Sequence, residues 1–427
     1  METTKSIIFG MYMIEEEKAM GHILFLCTEG FDTPGPSNHL IGSLIEDLLD
    51  SGFKLTLIQS RRERIYSELP DNLVGKPNLR TITVDRKVIP KQSFIKRYFE
   101  EVVYALRCWR NWRELGDVDA VFVQSCPTVL VPILLVKWSI RKPVLYSIQD
   151  MWPGSAVNSG VLAKGFVSKV FYSLQKIAYK HSDILTVISE DMKLKVIEQG
   201  VSEEKIHTIV NWFDDRELRE VSWAENRFVK KYGLSNDRFY VQYAGTMGYV
   251  FDYEMVLAVA EQFIDYEDIE FHMIGRGSKK DAFVAETEKR GLTNIRFFPL
   301  EPQNMVSDVY SACSVCLIPL KRGIIGNSVP SKAGLVMACN RAIVNSVDGS
   351  SDYYKMFNEK QIGISVSNDN YNSVADAILD LYSNSEKRKL YAKNGHEFGK
   401  KYYSRSVNTE KFIELFRQIP SKRLEGG

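Results

Sequence analysis

The stretch His22–Ser60, HILFLCTEGFDTPGPSNHLIGSLIEDLLDSGFKLTLIQS, decides the fold of the first part of the chain. It begins with an unbroken apolar run, continues through a glycine-bearing loop and a helical pattern from Leu40 to Asp50, and ends in a second apolar run. Continuous apolar runs of this length are typical of strands buried on both faces, which occur in parallel sheets. The order strand, loop, helix, strand therefore predicts a doubly wound α/β sheet.

The same alternation continues along the chain and then starts again. Further apolar runs at 120–124, 143–150 and 183–189 complete the first series, and the polar segment at 211–234 is interpreted as a linker. The second series contains FYVQYAG, IEFHMIG, IRFFPL, SVCLIPL and RAIVNS. We therefore predict two Rossmann-like domains facing across a cleft, at 20–212 and 213–402, with a C-terminal helix at 403–420 that packs back on the first domain. Ligands in such sheets bind beyond the carboxyl ends of the strands.

Composition excludes several classes of protein. The formal net charge of +1 gives no global nucleic-acid footprint. The leader METTKSIIFGMYMIEEEKA has too short an apolar core for a signal peptide, and the run Val129–Trp138 is too short to span a membrane. The pair Cys313 and Cys316 lacks the partner ligands of a zinc site. We expect a cytoplasmic protein, soluble or peripheral, with core cysteines and with no metal or cofactor.

The stretch NSVPSKAGLVMACN (327–340) places a cation where a helix begins. Proline is favoured at the first helical position, so the pattern predicts Pro330 there, with Ser328 or Val329 at the cap. A helix start carries partial positive charge, so Lys332 in the first turn is unfavourable unless an anion docks beside it. The alternative is a lysine that points to water.

Two glycine-bearing loops of the second domain follow buried strands and lead to the same crevice. YAGTMG contains Gly245 and Gly248, and MIGRGS contains Gly275 and Arg276. Glycine allows a close approach of the backbone to a ligand or a positive φ, although each glycine alone is explained equally well as a turn residue. Neither loop has the full spacing of a dinucleotide or Walker A motif. Their convergence with the helix start at Lys332 predicts an anion site.

In the first domain, the loop SIQDMWPGSAVNSG places Asp150 and Trp152 at the end of a buried strand. A carboxylate at that position can orient a sugar hydroxyl, and an indole can stack on a sugar face. The alternative for Asp150 is an ordinary helix cap.

Together these motifs resemble one family. DMWPGSAV (150–157) and SVPSK (328–332), with YAGTMG and MIGRGS, are similar to motifs of the family 4 retaining glycosyltransferases of GT-B fold. The resemblance extends from His22 to about Arg417 and is strongest to the bacterial branch that builds O-antigen, capsule and exopolysaccharide, including N-acetyl-fucosaminyltransferases. It implies transfer from a nucleotide-diphosphate sugar, a UDP-sugar by family habit, to a polyprenyl-diphosphate-linked saccharide. It implies no metal, and a location on the inner face of the cytoplasmic membrane.

The resemblance also implies a role for each candidate residue by position. Lys332 would neutralise the leaving diphosphate, and Asp150 would orient the acceptor hydroxyl or act as base. The acceptor would contact Gly30, Gly35, Ser37, Asn38 and Trp152. The donor would contact Gly245, Thr246, Gly248, Gly275, Arg276, Phe298, Leu300, Asn327, Pro330, Ser331 and Lys332.

The chain departs from the family around this helix. The wider family has a Glu-x7-Glu pair whose second glutamate holds the donor ribose, and these positions are Asn327 and Leu335 here. Leucine cannot accept a hydroxyl hydrogen bond. The arginine that commonly follows the first glycine of the second domain is replaced by Thr246, so Arg276 or Lys332 would supply the charge. A non-catalytic nucleotide-sugar-binding subunit and an epimerase of the same architecture therefore stay open as alternatives.

The segment Lys91–Glu114, KQSFIKRYFEEVVYALRCWRNWRE, interleaves aromatic and basic residues at helical spacing. Such a helix can lie on an anionic membrane surface. The alternative is that its apolar face packs on the core and its charges remain in water.

Overall fold

The computed structural model describes residues 20–32, 38–62, 69–89, 94–113, 115, 117–158, 160 and 162–421. Within these ranges, no helix combines the length and the apolar character needed to cross a membrane. The candidate residues Gly35 and Ser37 lie outside the described residues.

Two parallel β-sheets form the centre of the molecule. Their strands are β1 His22–Leu26, β2 Lys54–Arg61, β3 Leu79–Asp85, β4 Ala120–Gln124, β5 Val144–Ile148, β6 Ile184–Val187, β7 Ile206–Thr208, β8 Phe239–Thr246, β9 Ile269–Arg276, β10 Ile295–Phe298, β11 Val315–Pro319, β12 Ala342–Val347 and β13 Ile364–Ser367. The first sheet has the order β3-β2-β1-β4-β5-β6-β7, and the second has the order β10-β9-β8-β11-β12-β13. Every neighbouring pair is parallel. The prediction of two doubly wound sheets is therefore confirmed.

Helices cover both faces of each sheet. They are α1 Asn38–Asp50, α2 Phe94–Trp112, α3 Leu130–Ser139, α4 Gly154–Asn158, α5 Phe166–His181, α6 Glu190–Glu198, α7 Arg227–Tyr232, α8 Tyr253–Glu261, α9 Lys280–Lys289, α10 Val306–Ser311, α11 Lys332–Ala338, α12 Asp352–Glu359, α13 Tyr371–Ser383, α14 Ser385–Tyr402 and α15 Arg405–Ser421. In the first domain, α1 and α15 cover one face, and α2, α3, α5 and α6 cover the other. Central strands such as β1 are buried at every residue, because helices exclude water from both sides.

The apolar pattern does not predict strand β3. Its sequence, LRTITVD, is largely half-exposed, and only Val84 is buried. It nevertheless pairs with β2 over seven residues, from Leu55↔Leu79 to Arg61↔Asp85. An edge strand has one neighbour and less cover, so it lacks the continuous apolar run by which buried strands are recognised.

The chain passes between the domains twice, and the two passages are bonded to each other. The N–H of Phe213 donates to the carbonyl of Tyr403, and the N–H of Arg405 donates to the carbonyl of Phe213, both at 2.9 Å. Beyond the second passage, α15 packs on α1, and Phe412 lies in the core of the first domain. The guanidinium of Arg405 donates to both oxygens of the buried Asp47 carboxylate at 2.7 and 3.0 Å, which fixes the start of α15.

The second half of the polar segment at 211–234 belongs to the second domain rather than to a linker. Phe228 on α7 is fully buried in the core of that domain. The Asn226 side chain caps α7 by accepting from the N–H of Val229 at 3.0 Å. The charged residues around these positions face outward. Because they dominate the composition of the segment, the sequence suggests a linker although Phe228 is buried.

A buried carboxylate, Glu270 on β9, gathers three cationic or polar partners in the second domain. It accepts from His272 at 3.0 Å, from Arg238 at 2.9 Å and from Arg296 at 3.1 Å. Burial acts to raise the pKa of Glu270, but the hydrogen bond from His272 and the nearby arginine charges outweigh it and lower the pKa to about 2. Glu270 is therefore ionised at neutral and mildly acidic pH.

Candidate active site at the domain interface

The carboxyl ends of the two sheets face each other and touch through the loops after β5 and β11. The N–H of Met151 donates to the carbonyl of Asn327 at 2.9 Å, and the side chain of Asn158 donates to the carbonyl of Gly323 at 2.6 Å. A Cβ at Gly154 would lie 2.8 Å from Asn327 Oδ1, so this approach requires glycine. DMWPGSAV and the residues that lead into SVPSK are thus in direct contact.

A second contact between the domains involves α6 and α12. The carboxylate of Asp191 accepts from the N–H of Asp352 at 2.9 Å and from the N–H of Tyr353 at 3.0 Å, in the first turn of α12. The ammonium of Lys195 donates to the carbonyl of Ile325 at 3.4 Å. Sequence reasoning missed both residues, because each resembles an ordinary charged residue on its own helix.

Lys332 is the first residue of α11, at the carboxyl edge of the second sheet. Ser331 stands at the cap position without a side-chain cap bond, so α11 begins two residues later than the sequence predicts. Pro330 precedes the cap, and its carbonyl accepts from the N–H of Ala333 at 3.5 Å. The placement of Pro330 at the first helical position was therefore wrong: the chain makes a turn between the proline and the first regular helical bond.

The ammonium of Lys332 is held among apolar and aromatic groups. It lies 5.0 Å from the centre of the Tyr243 ring. Some of the side-chain surface remains accessible, but protein surrounds the charge, and this burial lowers the pKa of Lys332 although nearby Cys316 acts in the opposite direction. No carboxylate of the described residues pairs with it. A confined cation without a counter-ion is unfavourable, so the position favours an anionic ligand.

Gly245 and Gly275 are paired neighbours on β8 and β9, and both have positive φ, +145° and +139°. A Cβ at Gly245 would lie 2.2 Å from Cε of Lys332, and a Cβ at Gly275 would lie 2.0 Å from the carbonyl oxygen of Gly245. These glycines make room for the lysine and for each other. Gly248 differs, because its added Cβ would meet only a methyl group of Thr246, at 3.6 Å.

The segment 298–300, which contains the expected donor contacts Phe298 and Leu300, offers backbone rather than side chains. The Phe298 ring is buried against Phe228 and Tyr232, whereas Leu300 is exposed. The ammonium of Lys280 donates to the carbonyls of Gly275 at 2.9 Å and Phe298 at 3.3 Å, which ties this segment to the glycine loop. Sequence reasoning missed Lys280, although a lysine at the start of α9 is the same signal that drew attention to Lys332.

Asp150 lies beside the contact with the second domain. Its side chain is accessible from the cleft, yet protein surrounds it closely enough that desolvation raises its pKa, against opposing hydrogen bonds from Ser155 and the N–H of Met151. Trp152 packs edge-on against Phe171, with ring centres 5.7 Å apart. Because its pKa is raised, the ionised Asp150 carboxylate is a stronger base than the carboxylate of a fully solvated aspartate.

The remaining described acceptor candidates, Gly30 and Asn38, lie in the loop after β1 and at the start of α1. A Cβ at Gly30 would lie 1.9 Å from the carbonyl oxygen of Ser60, so this glycine is fixed by the neighbouring strand. The Asn38 side chain donates to the carbonyl of Gly30 at 3.5 Å. Both residues are therefore engaged with their own domain.

The positions that depart from the family pattern have structural roles. The Asn327 side chain is buried and donates to the carbonyl of Gly323 at 3.1 Å, which shapes the loop before α11. Leu335 packs against the core of the second domain. Thr246 and Arg276 are exposed at the ends of β8 and β9. Across the described ranges, no three histidine, cysteine, aspartate or glutamate side chains come together as metal ligands.

Two family descriptions match successive parts of this architecture. Residues 40–212 match the family described as glycosyl transferase 4-like domain, and residues 224–398 match glycosyl transferases group 1. The chain is therefore a glycosyltransferase with two Rossmann-like domains, the GT-B fold. The match to glycosyl transferases group 1 falls on the domain that carries Lys332.

Individual relatives are similar at modest identity. WbjE of Pseudomonas aeruginosa, by name a glycosyltransferase, is 25% identical over 336 residues, which cover 77% of this chain and 81% of WbjE. WcaI of Escherichia coli K12, by name a colanic acid biosynthesis glycosyl transferase, is 27% identical over 264 residues, covering 58% and 63%. The structure of Anabaena HepE in complex with UDP aligns with a TM-score of 0.68 at 13% identity, over 92% of this chain and 99% of that one. The predicted GT-B fold is confirmed.

Proposed function

We propose that the protein transfers a sugar, with retention of configuration, from a UDP-sugar to a polyprenyl-diphosphate-linked saccharide during synthesis of a bacterial surface polysaccharide. The names of WbjE and WcaI, and the UDP bound to HepE, support this assignment. The resemblance to N-acetyl-fucosaminyltransferases favours an N-acetylated deoxyhexosamine as the sugar.

The observation that carries the proposal is the isolated ammonium of Lys332 between two glycine-bearing strand ends. Negative charge builds on the leaving diphosphate as the glycosidic bond breaks, and fixed cations and N–H dipoles aimed at that charge lower the barrier. The Lys332 ammonium packs against the Tyr243 ring, and its side chain fills the space that a Cβ at Gly245 would occupy. The ammonium therefore needs little reorganisation when negative charge develops on the diphosphate. Arg276, exposed at the end of β9, supplies a second cation at the rim.

Asp150 acts on the other side of the cleft. It orients the acceptor hydroxyl and accepts its proton, and its raised pKa suits a general base. No protein nucleophile is assigned to the reaction. The chemistry runs without a metal, since Lys332 and the backbone N–H groups stabilise the leaving group.

The first test is calorimetric titration of the purified protein with UDP, GDP, ADP and deoxythymidine diphosphate, with and without EDTA. We expect UDP to bind most tightly, and EDTA to change nothing. Lys332→Met keeps the bulk of the side chain but removes the charge. It should weaken UDP binding about 10- to 150-fold, since hydrogen bonds to charged groups contribute about 1.5–3 kcal/mol.

Lys400→Met, on the exposed surface of α14, is the matched control and should bind UDP as the unmodified protein does. Tight UDP binding by Lys332→Met would contradict the phosphate site. Loss of binding in EDTA, restored by Mg²⁺, would contradict the metal-independent reaction.

A further inference from the structure

The loop that follows β10 is held at both ends by side chains from other helices. At its start, the ammonium of Lys280 in α9 donates to the carbonyl of Phe298 at 3.3 Å. Three residues further on, the Glu301 carboxylate accepts from the ammonium of Lys231 at 2.8 and 2.9 Å and from the hydroxyl of Tyr232 at 2.5 Å, both on α7. Only 3% of the Glu301 side chain is exposed, so protein encloses this second attachment.

Between these two attachments, the backbone of Leu300 presents one donor and one acceptor. Within the described part of the chain, no group bonds to its N–H or to its carbonyl, and the residue is 51% exposed. Uracil carries a ring N–H beside a carbonyl oxygen, which suits a peptide acceptor and donor. Cytosine carries a ring nitrogen acceptor beside an amino group, so both roles are reversed. The loop therefore distinguishes these bases only while its backbone is fixed in position.

The ammonium that holds the start of this loop also holds the loop after β9. Lys280 donates to the carbonyl of Gly275 at 2.9 Å. A Cβ at Gly275 would lie 2.0 Å from the carbonyl oxygen of Gly245, and a Cβ at Gly245 would lie 2.2 Å from Cε of Lys332. A row of close contacts therefore runs from Phe298 through Lys280 and the two glycines to the cation assigned to the diphosphate.

The pairing of strands β9 and β10 ends just before this point. Their last residue pair is Ile274 with Phe298, whereas β8 and β9 remain paired at Gly245 and Gly275. Lys280 bonds to the carbonyl of the last residue of β10 and to the carbonyl of the residue that follows Ile274. It therefore joins the two loops at the position where the sheet no longer does.

The stability of α9 does not explain a lysine at this position. Lys280 is the first residue of the helix, where a positive charge opposes the helix dipole. An ammonium carries three N–H donors, so a single side chain can bond two carbonyls at once. The bonds to Gly275 and Phe298 therefore account for a cation that is unfavourable in its own helix.

Side-chain packing already fixes strand β10 without this lysine. The ring of Phe298 is buried, and its centre lies 5.4 Å from that of Phe228 and 4.8 Å from that of Tyr232. Leu300 is exposed, so packing does not determine where its backbone lies. What the bonds from Lys280 add is the position of the backbone beyond the strand, relative to the glycine loop.

We propose that Lys280 is a positioning residue that sets the distance between the backbone of Leu300, which pairs with uracil, and the strand ends at Gly245 and Gly275, which receive the diphosphate. The inference rests on the proposed function, since the ligand is taken to be a uridine diphosphate. A ligand that contacts two subsites gains affinity only while their separation matches its own length. Lys280 acts through the protein on both sides and needs no contact with the base.

The test is calorimetric titration of the full-length protein with UDP, CDP and pyrophosphate. Lys280→Met keeps the bulk of the side chain and removes both hydrogen bonds. Its UDP affinity should fall about tenfold or more, because bonds from a charged donor are lost, while its CDP affinity falls less and its pyrophosphate affinity is nearly unchanged. Tyr232→Phe weakens the attachment at Glu301 without changing any charge. It should reduce the preference for UDP over CDP in the same direction.

Lys289→Met, at the exposed end of α9, is the matched control and should bind all three ligands as the unmodified protein does. An unchanged ratio of UDP to CDP affinity in both Lys280→Met and Tyr232→Phe would overturn the inference and leave the proposed function standing. Equal losses for UDP and pyrophosphate in Lys280→Met would overturn it as well, because they would show direct contact with phosphate. If the unmodified protein bound none of the three ligands, the proposed function would fail and this inference with it.

Discussion

Replacing Gly245 with alanine tests whether UDP binding depends on the position in which the Lys332 side chain is held. The new Cβ would lie 2.2 Å from Cε and 2.9 Å from Nζ of the lysine, at a residue whose φ is +145°. Two separable effects follow. The backbone strain acts on stability and should cost about 1–3 kcal/mol of the free energy of unfolding. The contact acts on the lysine, whose flexible end moves away from the glycine and out of the position that faces the diphosphate.

The displaced ammonium should lose most of its interaction with the donor. With about 1.5–3 kcal/mol for a hydrogen bond to a charged group, and a factor of ten for each 1.4 kcal/mol, the expected loss in UDP affinity is about 10- to 150-fold. Lys332→Ala should show a loss of the same size. The double variant should be no weaker than Lys332→Ala alone, because two changes that act through one side chain do not add.

Calorimetric titration with UDP measures the affinity, and chemical denaturation of the same samples measures the stability. Gly233→Ala is the matched control, since this glycine of the second domain also has a positive φ, +61°, but its Cβ would meet nothing within 4 Å. It should bind UDP normally. UDP affinity unchanged in Gly245→Ala would refute the reasoning. A double variant much weaker than Lys332→Ala would show that Gly245 contacts the ligand directly.

Three further outcomes are expected. Gly154→Ala should lower kcat more than it weakens UDP binding, because its Cβ would lie 2.8 Å from Asn327 Oδ1 and displace the loop that carries Asp150; equal losses in both would contradict this. If Asp150 is the base, kcat/KM should fall as the pH drops through the raised pKa of Asp150. Asp150→Asn should lose most of the activity and should no longer show this fall at acidic pH, while its UDP affinity is retained. The pKa of Glu270 is lowered to about 2, so its ionised form should contribute about 3 kcal/mol to the free energy of unfolding above pH 4.5, the pKa of the unfolded state. This contribution should be lost as the pH falls from 4.5 toward 2. Denaturation of Glu270→Gln should therefore show the loss at neutral pH and a flatter acid dependence, whereas Glu359→Gln, at an exposed position on α12, should show neither.

The fold was predictable because burial leaves a continuous signal in the sequence. Strands such as β1 and β11 are covered on both faces, so nearly every residue is apolar, and the alternation with helices fixes a parallel order. Strand β3 lacks that cover and therefore lacks the signal. The start of α11 was misplaced because Pro330 suits the first helical position in general, whereas here a turn intervenes.

The sequence predicts a residue of the candidate site only where that residue is unfavourable in its own helix or strand. Lys332 stood out because a cation at a helix start is unfavourable on its own helix. Asp191 obeys the local rules, since an acid in the first turn of α6 is favourable there, and its bonds to α12 exist only in the folded molecule. Such contacts between the two domains depend on how the two sheets are placed relative to each other. A short stretch of sequence does not contain that information.

The donor and acceptor sides of the site are joined by a short length of chain. The carbonyl of Asn327 holds the N–H of Met151, next to Asp150, and Lys332 follows Asn327 by five residues in the same segment. A diphosphate bound at Lys332 would therefore contact the same segment that holds Met151. The two loops are held together at two points, by this backbone hydrogen bond and by the Asn327 side chain, whose Oδ1 leaves no room for a Cβ at Gly154. Donor binding and the placement of Asp150 should consequently be coupled, so that the base is positioned when the leaving group is in place.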